Sequence, residues 1–418
     1  MLRFITITTL SLFLSVLQFA QAQIALSDSA KISLMTTAPW SGEAYAMYGH
    51  TALYVEDDSL AIDAVFNYGF FDMSQTNFMY NFVRGKTDYV LGVQSFDDFI
   101  RSYGYKGVEV VKQELNLSDA EKQQLWHALY INQLPENRGY RYNFFYDNCV
   151  TRPRDLIEKY TAGEIHYPQD AKTQTFRDLI HECVGGYPWM KFGIDLVIGN
   201  EADKPIDLRQ KMFLPAYLMH ALDETTVVIG DSISHPIVKD KSIVLEGVAV
   251  NDTVSEWHVL SPFFIAFALL LVALVITFVQ YARRSYELYM KIFDTVVFAL
   301  AGFGGLIIFF LLFFSVHPAV NSNWNFVWMN IFSLIFAVLF WIKPLKRLVN
   351  LYHLINFALL SLFLLFWWLV PQELPLATIP FSMVLWLRSG INTVMLRNRM
   401  VSNRRFVSSR YLKAGWGQ

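Results

Sequence analysis

Five long apolar stretches occupy the second half of the chain, and the residues before them show the shorter apolar periods of a water-soluble domain. The stretches lie at 260–281, 292–316, 326–342, 351–370 and 374–396. Each is close to the ~20 residues that a helix needs to cross the hydrocarbon core of a bilayer. Arg388 and Asn392 interrupt the fifth stretch. We therefore predict an all-α bundle of five transmembrane helices over residues 260–396.

Lysine and arginine cluster after alternate stretches. The cations that follow the first, third and fifth stretches are Arg283, Arg284, Lys291, Lys343, Lys346, Arg347, Arg397, Arg399, Arg404, Arg405, Arg410 and Lys413. The two opposite loops, 317–325 and 371–373, contain neither residue type. Because cytoplasmic loops are enriched in Lys and Arg, this pattern predicts a basic cytoplasmic tail at 397–418 and a large domain on the other side of the membrane.

The first 22 residues have the pattern of a secretory signal peptide. Arg3 supplies a basic start, residues 5–17 form an apolar core, and Ala20-Gln21-Ala22 provides small residues for cleavage. We predict that 1–22 is a signal peptide and that residues 23–225 form the exported domain. An uncleaved N-terminal anchor is the alternative.

The exported segment mixes strand and helix periods. Period-two alternation predicts strands at 32–38, 47–55, 61–68, 89–93 and 107–115. Helical spacing predicts helices at 118–133, where Ser118 and Glu121 form a capping box, and at 151–160, 175–183, 189–198 and 208–222. The fold class is therefore α+β. Residues 226–259 are β-rich and polar, which indicates a membrane-proximal connector.

Cys149 and His50 are the candidate catalytic residues. Cys149 immediately precedes a predicted helix, and the positive end of a helix dipole favours the thiolate, the reactive form of cysteine. His50 begins the alternating segment His50-Thr51-Ala52-Leu53-Tyr54-Val55. A histidine on a strand that faces a cysteine at a helix start is an arrangement suited to acyl transfer.

A third residue is expected to orient the imidazole of His50. If Asp57-Asp58 is the centre of the hairpin turn, His50 lies opposite Val65, with Asp63 and Asn67 as diagonal neighbours. Either side chain could accept the second ring N–H and fix the tautomer, as in a catalytic triad. The sequence leaves the choice between Asp63 and Asn67 open.

Acyl transfer also requires donors for the oxyanion of the tetrahedral intermediate. The backbone N–H of Cys149 is the first candidate, and Tyr142, Tyr146 or Asn148 could add a side-chain donor. Tyr142 and Tyr146 could equally be packing residues on a loop. Arg152 could bind a phosphate head group of a substrate, or it could pair with Asp147.

The same sequence argues against several other classes of function. The histidines show no metal-ligand spacing, there is no C-x-x-C pattern, and neither a phosphate loop nor a basic nucleic-acid stripe occurs. We therefore predict no metal, no cofactor and no nucleic-acid partner. A structural disulfide between Cys149 and Cys183 is the alternative to a nucleophilic Cys149 in an exported domain.

Several segments together resemble the Lnb-type N-terminal periplasmic domain. They are residues 39–40, 48–52, 63–69, 137–138, 142–144 and 147–152, and the similarity extends through 189–198 and 212–215 to about residue 225. More remotely, a His on a strand followed by Asn-Cys at a helix start resembles the permuted papain-like fold of NlpC/P60 relatives and lecithin:retinol acyltransferase. Those relatives often carry a second His where this chain has Asp63 or Asn67.

The resemblance implies a membrane-anchored cysteine acyltransferase of bacterial lipoprotein N-acylation. Its acyl donor would be a membrane phospholipid and its acceptor the α-amine of a diacylglyceryl lipoprotein, joined through a thioester on Cys149. The implied location is the cytoplasmic (inner) membrane, multi-pass, with the exported domain in the periplasm and the C-terminus in the cytoplasm. The alternatives are a papain-like cell-wall amidopeptidase, a phospholipase, and a non-catalytic anchored binding module.

Overall fold

The computed structural model describes residues 25–71, 76–230, 233–248 and 258–395. The predicted signal peptide and basic tail lie outside these residues. The described chain divides into two compact units. The first contains 25–71, 88–169 and 208–248, and the second contains 76–87, 170–207 and 258–395.

The elements of the described chain are numbered in chain order. The strands are β1 (Lys31–Thr37), β2 (His50–Asp57), β3 (Ile62–Phe70), β4 (Asp88–Gln94), β5 (Val110–Leu115), β6 (Gly139–Arg141), β7 (Glu164–His166), β8 (Gln174–Thr175), β9 (Pro205–Ile206), β10 (Thr226–Ile229), β11 (Ile233–Pro236) and β12 (Val238–Leu245). The helices are α1 (Phe78–Val83), α2 (Phe96–Gly104), α3 (Asp119–Asn132), α4 (Thr151–Tyr160), α5 (Phe176–Val184), α6 (Pro188–Val197), α7 (Leu208–Lys211), α8 (Pro215–Glu224), α9 (Pro262–Arg283), α10 (Leu288–Phe314), α11 (Ile331–Leu339), α12 (Lys346–Leu365) and α13 (378–395).

An antiparallel sheet, in which the spatial order of the strands differs from their order in the chain, forms the centre of the first unit. Its strand order is β12-β5-β1-β2-β3-β4-β6. Successive side chains of a strand point to opposite faces of the sheet. Leu53 lies on one face, in a core with Leu125 of α3, and Tyr54 lies on the other face, in a core with Phe99 of α2. Each fully buried side chain of this size contributes roughly 1.5–3 kcal/mol to stability. The predicted α+β class is confirmed for this domain.

The hairpin of β2 and β3 has a different register from the predicted one. Tyr54 pairs with Val65, so the same register continued to the start of β2 brings His50 beside Gly69. The prediction that His50 lies opposite Val65 is therefore wrong. The turn lies later than expected because the buried Asp57 carboxylate accepts the backbone N–H groups of Ser59 and Leu60 and holds them in the turn.

The predicted connector at 226–259 is also corrected. Strand β12 pairs antiparallel with β5 and forms one edge of the central sheet. Strand β10 lies between β11 and β7 in a smaller sheet. Residues 226–245 therefore belong to the fold of the first unit. The polar composition of β12 reflects an edge strand with one solvent-exposed face.

The helices of the second unit include three that are long and apolar enough to cross a membrane. They are Pro262–Arg283, Leu288–Phe314 and Lys343–Leu365. The third predicted span is shorter: a 3₁₀ turn at Trp324–Val327 precedes α11, which has only nine residues. The fifth is helical over 378–395. The five-helix count therefore stays a prediction.

The charged residue that interrupts the fifth stretch is buried and paired. The Arg388 guanidinium donates to both carboxylate oxygens of Asp294 at 2.5 and 3.1 Å, and to Gln280 and Thr277 at 2.7 and 2.9 Å. Asn392 donates to the same carboxylate at 2.8 Å. Polar groups inside a helical membrane domain are tolerated when they satisfy one another in this way.

A second buried ion cluster lies within the second unit, in residues 170–207. Arg177 contacts Asp195 at 2.7 Å and Asp203 at 2.5 Å. The Asn325 amide donates to the Asp195 carbonyl at 2.9 Å. Predicted domain limits of 23–225 placed this segment with the exported sheet, and the structure groups it with the transmembrane helices instead. Sequence periodicity cannot reveal this because the contacts are long-range hydrogen bonds.

Arg177→Met should lower the midpoint of thermal unfolding of the purified full-length protein. It removes the arginine partner of the buried Asp195 carboxylate and leaves His181, at 2.8 Å, as the remaining contact, and breaking a buried pair in this way costs about 3–5 kcal/mol. Lys204→Met is the control, because the pair of Lys204 with Glu201 is exposed and such pairs contribute only ~0–1 kcal/mol. Equal midpoints for the two variants would show that the Arg177 cluster adds no stability.

Candidate active site

Cys149 lies in the turn that leads into α4, and the Asn148 side chain holds this turn. The Asn148 side-chain oxygen accepts the backbone N–H groups of Val150 and Thr151 at 2.7 and 2.9 Å, and the Thr151 hydroxyl accepts the Asn148 N–H at 2.8 Å. The Asn148 amide nitrogen donates to the carbonyls of Phe144 and Phe213 at 2.8 and 3.0 Å. Both amide hydrogens are thus engaged. The role of Asn148 as an oxyanion donor stays a prediction, and in this structure its side chain positions the Cys149 turn.

His50 and Cys149 converge on one glycine of β3. A Cβ atom added to Gly69 would lie 3.6 Å from the Cys149 Cβ and 3.7 Å from the His50 Cε1. The backbone φ of Gly69 is 106°, a value that L-residues rarely adopt. The Thr51 hydroxyl, next to His50, donates to the Cys149 carbonyl at 2.5 Å. The strand and the helix start are therefore fixed side by side, as the sequence predicted.

Charge coupling between the two side chains changes both pKa values. Burial by itself raises the pKa of the Cys149 thiol, but the positive His50, its hydrogen bond to the sulfur and the Thr51 backbone N–H outweigh burial, so the pKa is lowered. Burial likewise lowers the pKa of His50, and the Cys149 charge together with hydrogen bonds to Cys149 and Asn67 raises it above its ordinary value. Both directions favour a thiolate–imidazolium pair.

Asn67 is the partner of the second ring nitrogen of His50. The His50 Nε2–H donates to the Asn67 side-chain oxygen at 2.5 Å, and Asn67 is buried. This bond leaves Nδ1 for the thiol. Asp63 is exposed near the hairpin turn, where it lies opposite Glu56 and accepts the Phe96 backbone N–H at 3.0 Å. Of the two candidates that the sequence left open, the structure joins Asn67 to His50 and not Asp63.

Four tyrosines lie within electrostatic reach of the Cys149 sulfur. Tyr142 stacks on Tyr89 with ring centroids 4.2 Å apart, and Tyr89 lies opposite Tyr140 in the pairing of β4 with β6. Burial, and after it the negative charge of Cys149, raises the pKa of Tyr89 to about 12 and raises the pKa values of Tyr103, Tyr140 and Tyr142 as well. These phenols therefore remain neutral hydrogen-bond donors within electrostatic reach of the thiolate.

Only Tyr142 of these tyrosines was predicted from the sequence. Tyr89, Tyr103 and Tyr140 come from β4, α2 and β6, and no local motif connects them with Cys149. The cross-strand pairing that brings Tyr89 and Tyr140 together is known only once the sheet is formed. Lys106 was not predicted as a site residue either. Its charge opposes the rise in the pKa of His50, and its ammonium lies 4.7 Å from the Trp40 ring centre.

Tyr146 and Arg152 are the other two predicted oxyanion or substrate-binding residues. The Tyr146 side chain is 55% exposed, and its ring packs on Phe145. The Arg152 guanidinium forms a bidentate pair with Asp147 at 2.6 and 2.9 Å and lies 3.7 Å from the Tyr140 ring centre. Of its two alternatives, the ion pair is the one observed. A head-group role for Arg152 stays a prediction.

Both cysteines are free thiols, so the alternative Cys149–Cys183 disulfide is not formed. Burial, and next the charge of Glu182, raises the pKa of Cys183 to about 12, which makes it a neutral thiol. The two cysteines therefore differ strongly in nucleophilic character. Within the described residues no group of three or more His, Cys, Asp or Glu side chains is placed to hold a metal ion.

This fold and site define a class: a membrane protein with an α+β domain that carries a paired cysteine and histidine. Residues 18–182 match the family model of the Lnb N-terminal periplasmic domain, and residues 253–399 match that of the Lnb transmembrane domain. The chain belongs to the Lnb-type family, as its motifs predicted. No curated protein and no solved structure matches it. The domain names indicate a periplasmic N-terminal domain and a membrane-spanning C-terminal one.

Iodoacetamide should alkylate Cys149 faster than Cys183 at pH 7, and His50→Ala should slow the alkylation of Cys149 by roughly tenfold or more. Thiolate is the reacting form, and the variant removes the charge and the hydrogen bond of His50, the two largest effects that oppose burial and lower the pKa of Cys149. Each unit of pKa above the ambient pH lowers the thiolate fraction about tenfold. Mass spectrometry of labelled peptides measures both sites in one sample, with Cys183 as the internal control. An unchanged rate at Cys149 would show that His50 does not hold its pKa down.

Proposed function

We propose that the chain is a membrane-anchored cysteine acyltransferase that moves an acyl chain from a membrane phospholipid to the α-amine of a diacylglyceryl lipoprotein. The observation that carries the proposal is the pairing of Cys149 with His50 and of His50 with Asn67, in a chain with both Lnb domains. Family membership supports the coarser statement, a lipoprotein-modifying enzyme of the Lnb type.

In the first step, His50 takes the proton of the Cys149 thiol. The sulfur attacks the carbonyl carbon of a phospholipid ester, and a tetrahedral intermediate forms. The C–O bond of the ester then breaks, and His50 returns its proton to the glycerol oxygen. A lysophospholipid leaves, and the acyl group remains as a thioester on Cys149.

The oxyanion of this intermediate needs donors that are already in position. The Cys149 backbone N–H, which also stabilises the thiolate, is one, and the Tyr142 phenol is the side-chain donor that we favour. Tyr142 is supported by its electrostatic coupling to the sulfur and by its stacking on Tyr89, which fixes its ring. In a site of low polarity such donors act more strongly than in water.

In the second step, the neutral α-amine of the lipoprotein attacks the thioester carbonyl. The C–S bond breaks, an amide C–N bond forms, and His50 accepts the proton that the amine loses. The thiolate–imidazolium pair is thereby restored.

We also infer a permuted papain-like fold for the periplasmic domain. His50 on a strand precedes Cys149 at a helix start in the chain, and the two side chains approach the same glycine. For the location we propose the inner membrane with a cytoplasmic C-terminus, on the basis of the alternating Lys and Arg in the loops.

Cys149→Ala should abolish N-acylation of lipoproteins in cells at an unchanged level of the protein, because the thioester cannot form. Cys183→Ala is the matched control and should leave N-acylation intact, since the Cys183 thiol is neutral. Mass spectrometry of lipoprotein N-termini measures the outcome. Triacylated lipoproteins in the Cys149→Ala strain would overturn the proposal. Release of free fatty acid by the wild type without N-acyl product would instead indicate a phospholipase.

Asn67→Ala should move the alkaline limit of activity to lower pH. Activity requires the imidazolium paired with the thiolate, so it is lost as the pH rises through the pKa of His50. The hydrogen bond to Asn67 raises the pKa of His50, and the charge of Lys106 lowers it. Without the bond the Lys106 charge still acts, so the pKa of His50 falls. Asp63→Ala is the control and should leave the pH–rate profile of N-acylation unchanged, because Asp63 contacts Phe96 rather than His50. Identical profiles for Asn67→Ala and wild type would exclude an orienting role for Asn67.

A further inference from the structure

An apolar groove runs between α11 and α12 in the second unit. Its volume is about 810 Å³. Side chains of both helices form its walls, among them Phe332, Phe336, Leu348, Leu351, Ile355 and Leu359. The α12 residues among them are spaced three or four apart, so they form one continuous face of that helix. Most of this face is exposed.

The groove exists because α11 packs tightly against α10 and leaves α12 partly uncovered. A Cβ atom at Gly302 would lie 2.0 Å from the Leu334 backbone nitrogen, and one at Gly305 would lie 2.5 Å from the Asn330 carbonyl carbon. Such close approach is possible only for glycine, as in other membrane helix pairs. Across the groove, α11 meets α12 through the stacked rings of Phe336 and Tyr352, whose centroids are 4.1 Å apart.

The lining is chemically uniform along most of its length. None of the described residues that line the groove carries a charge. The Tyr352 hydroxyl, at the floor of the groove, donates to the Ser333 hydroxyl at 3.0 Å, so it already has a hydrogen-bond partner within the protein. Four polar side chains of the described chain also line the groove. Ser322, Asn323 and Asn330 precede or begin α11, and Asn356 of α12 donates its amide to Ser389 at 2.9 Å. A ligand with a long apolar part and one polar end matches this distribution.

A second cavity continues the groove along α12. It has a volume of about 250 Å³, shares Trp324, Val327 and Leu359 with the first, and extends to Phe366. From Leu348 to Phe366 the chain rises roughly 27 Å at the α-helical rate of ~1.5 Å per residue. This length is close to the ~30 Å thickness of a bilayer core.

We propose that this groove binds an acyl chain of a membrane glycerophospholipid that enters sideways from the bilayer, with the ester end near Ser322 and Asn323. An acyl chain is narrower than a helix, which is about 10 Å across, and the groove of about 810 Å³ has room for it. The proposal goes beyond the acyl-transfer chemistry, because it requires neither Cys149 nor His50.

The test uses full-length protein in nanodiscs that contain a phosphatidylethanolamine with a photoactivatable diazirine in its acyl chain. After illumination, mass spectrometry of peptides should find adducts concentrated on Phe336, Leu351 and Ile355. Ile355→Trp fills the groove and should reduce this labelling at least fivefold. Leu351→Trp is a second filling variant with the same expectation.

Leu354→Trp is the matched control. Leu354 is adjacent to Ile355 on α12 and similarly exposed, 48% against 57%, but it does not line the groove. Labelling in this variant should equal that of the wild type, and Cys149→Ala should also label normally, which separates lipid binding from the proposed chemistry. Adducts spread evenly over all exposed apolar residues, equal loss in Leu354→Trp, or cross-links between two copies of the chain at these residues would each overturn the proposal.

Discussion

The charge pair of Cys149 and His50 depends on two elements that are distant in the chain and adjacent in the fold. The Thr51 hydroxyl bonds to the Cys149 carbonyl across a sequence separation of 98 residues, so the strand and the helix start are joined beside the pair itself. Gly69 leaves the space that both side chains share. If the strand or the helix start moved, Cys149 would lose the charge and hydrogen bond of His50 that oppose burial, and burial by itself raises the pKa of its thiol. The lowered pKa of Cys149 is therefore a property of the assembled sheet and helix.

The local sequence predicted the parts of the site that depend on local structure. The polar Asp147-Asn148 pair before Cys149 indicated a helix start, and the Asn148 side chain holds the turn that leads into that helix. The capping box of Ser118 and Glu121 is present, for the same reason. Capping bonds join residues only two or three positions apart, so the residue types alone determine them. His50 at the head of β2 likewise followed from strand alternation.

Features that depend on pairing between distant segments could not be obtained in this way. The choice of Asn67 over Asp63 depends on the register of the hairpin, and that register depends on how the Asp57 carboxylate holds the turn. Tyr89 and Tyr140 meet only because β4 pairs with β6. Strand β12 appeared to be part of a linker because its partner, β5, lies more than a hundred residues earlier. A one-residue change in register exchanges the two faces of a strand, so the periodicity of single strands cannot supply such information.

Hydropathy has a corresponding limit in the second unit. The stretch 326–342 is long enough to span a bilayer, yet Asn330 divides it into a 3₁₀ turn and a nine-residue helix. Backbone outside regular helix is tolerated at membrane depth only where protein groups satisfy it. Here the backbone N–H of Trp324 donates to the Gln372 side chain at 2.7 Å, and that of Asn325 donates to the Asn323 side chain at 2.9 Å. The division shortens α11, and Gly302 and Gly305 hold the short helix against α10. The uncovered face of α12 follows from these two constraints, so the apolar groove is a consequence of where the polar amides interrupt the apolar sequence.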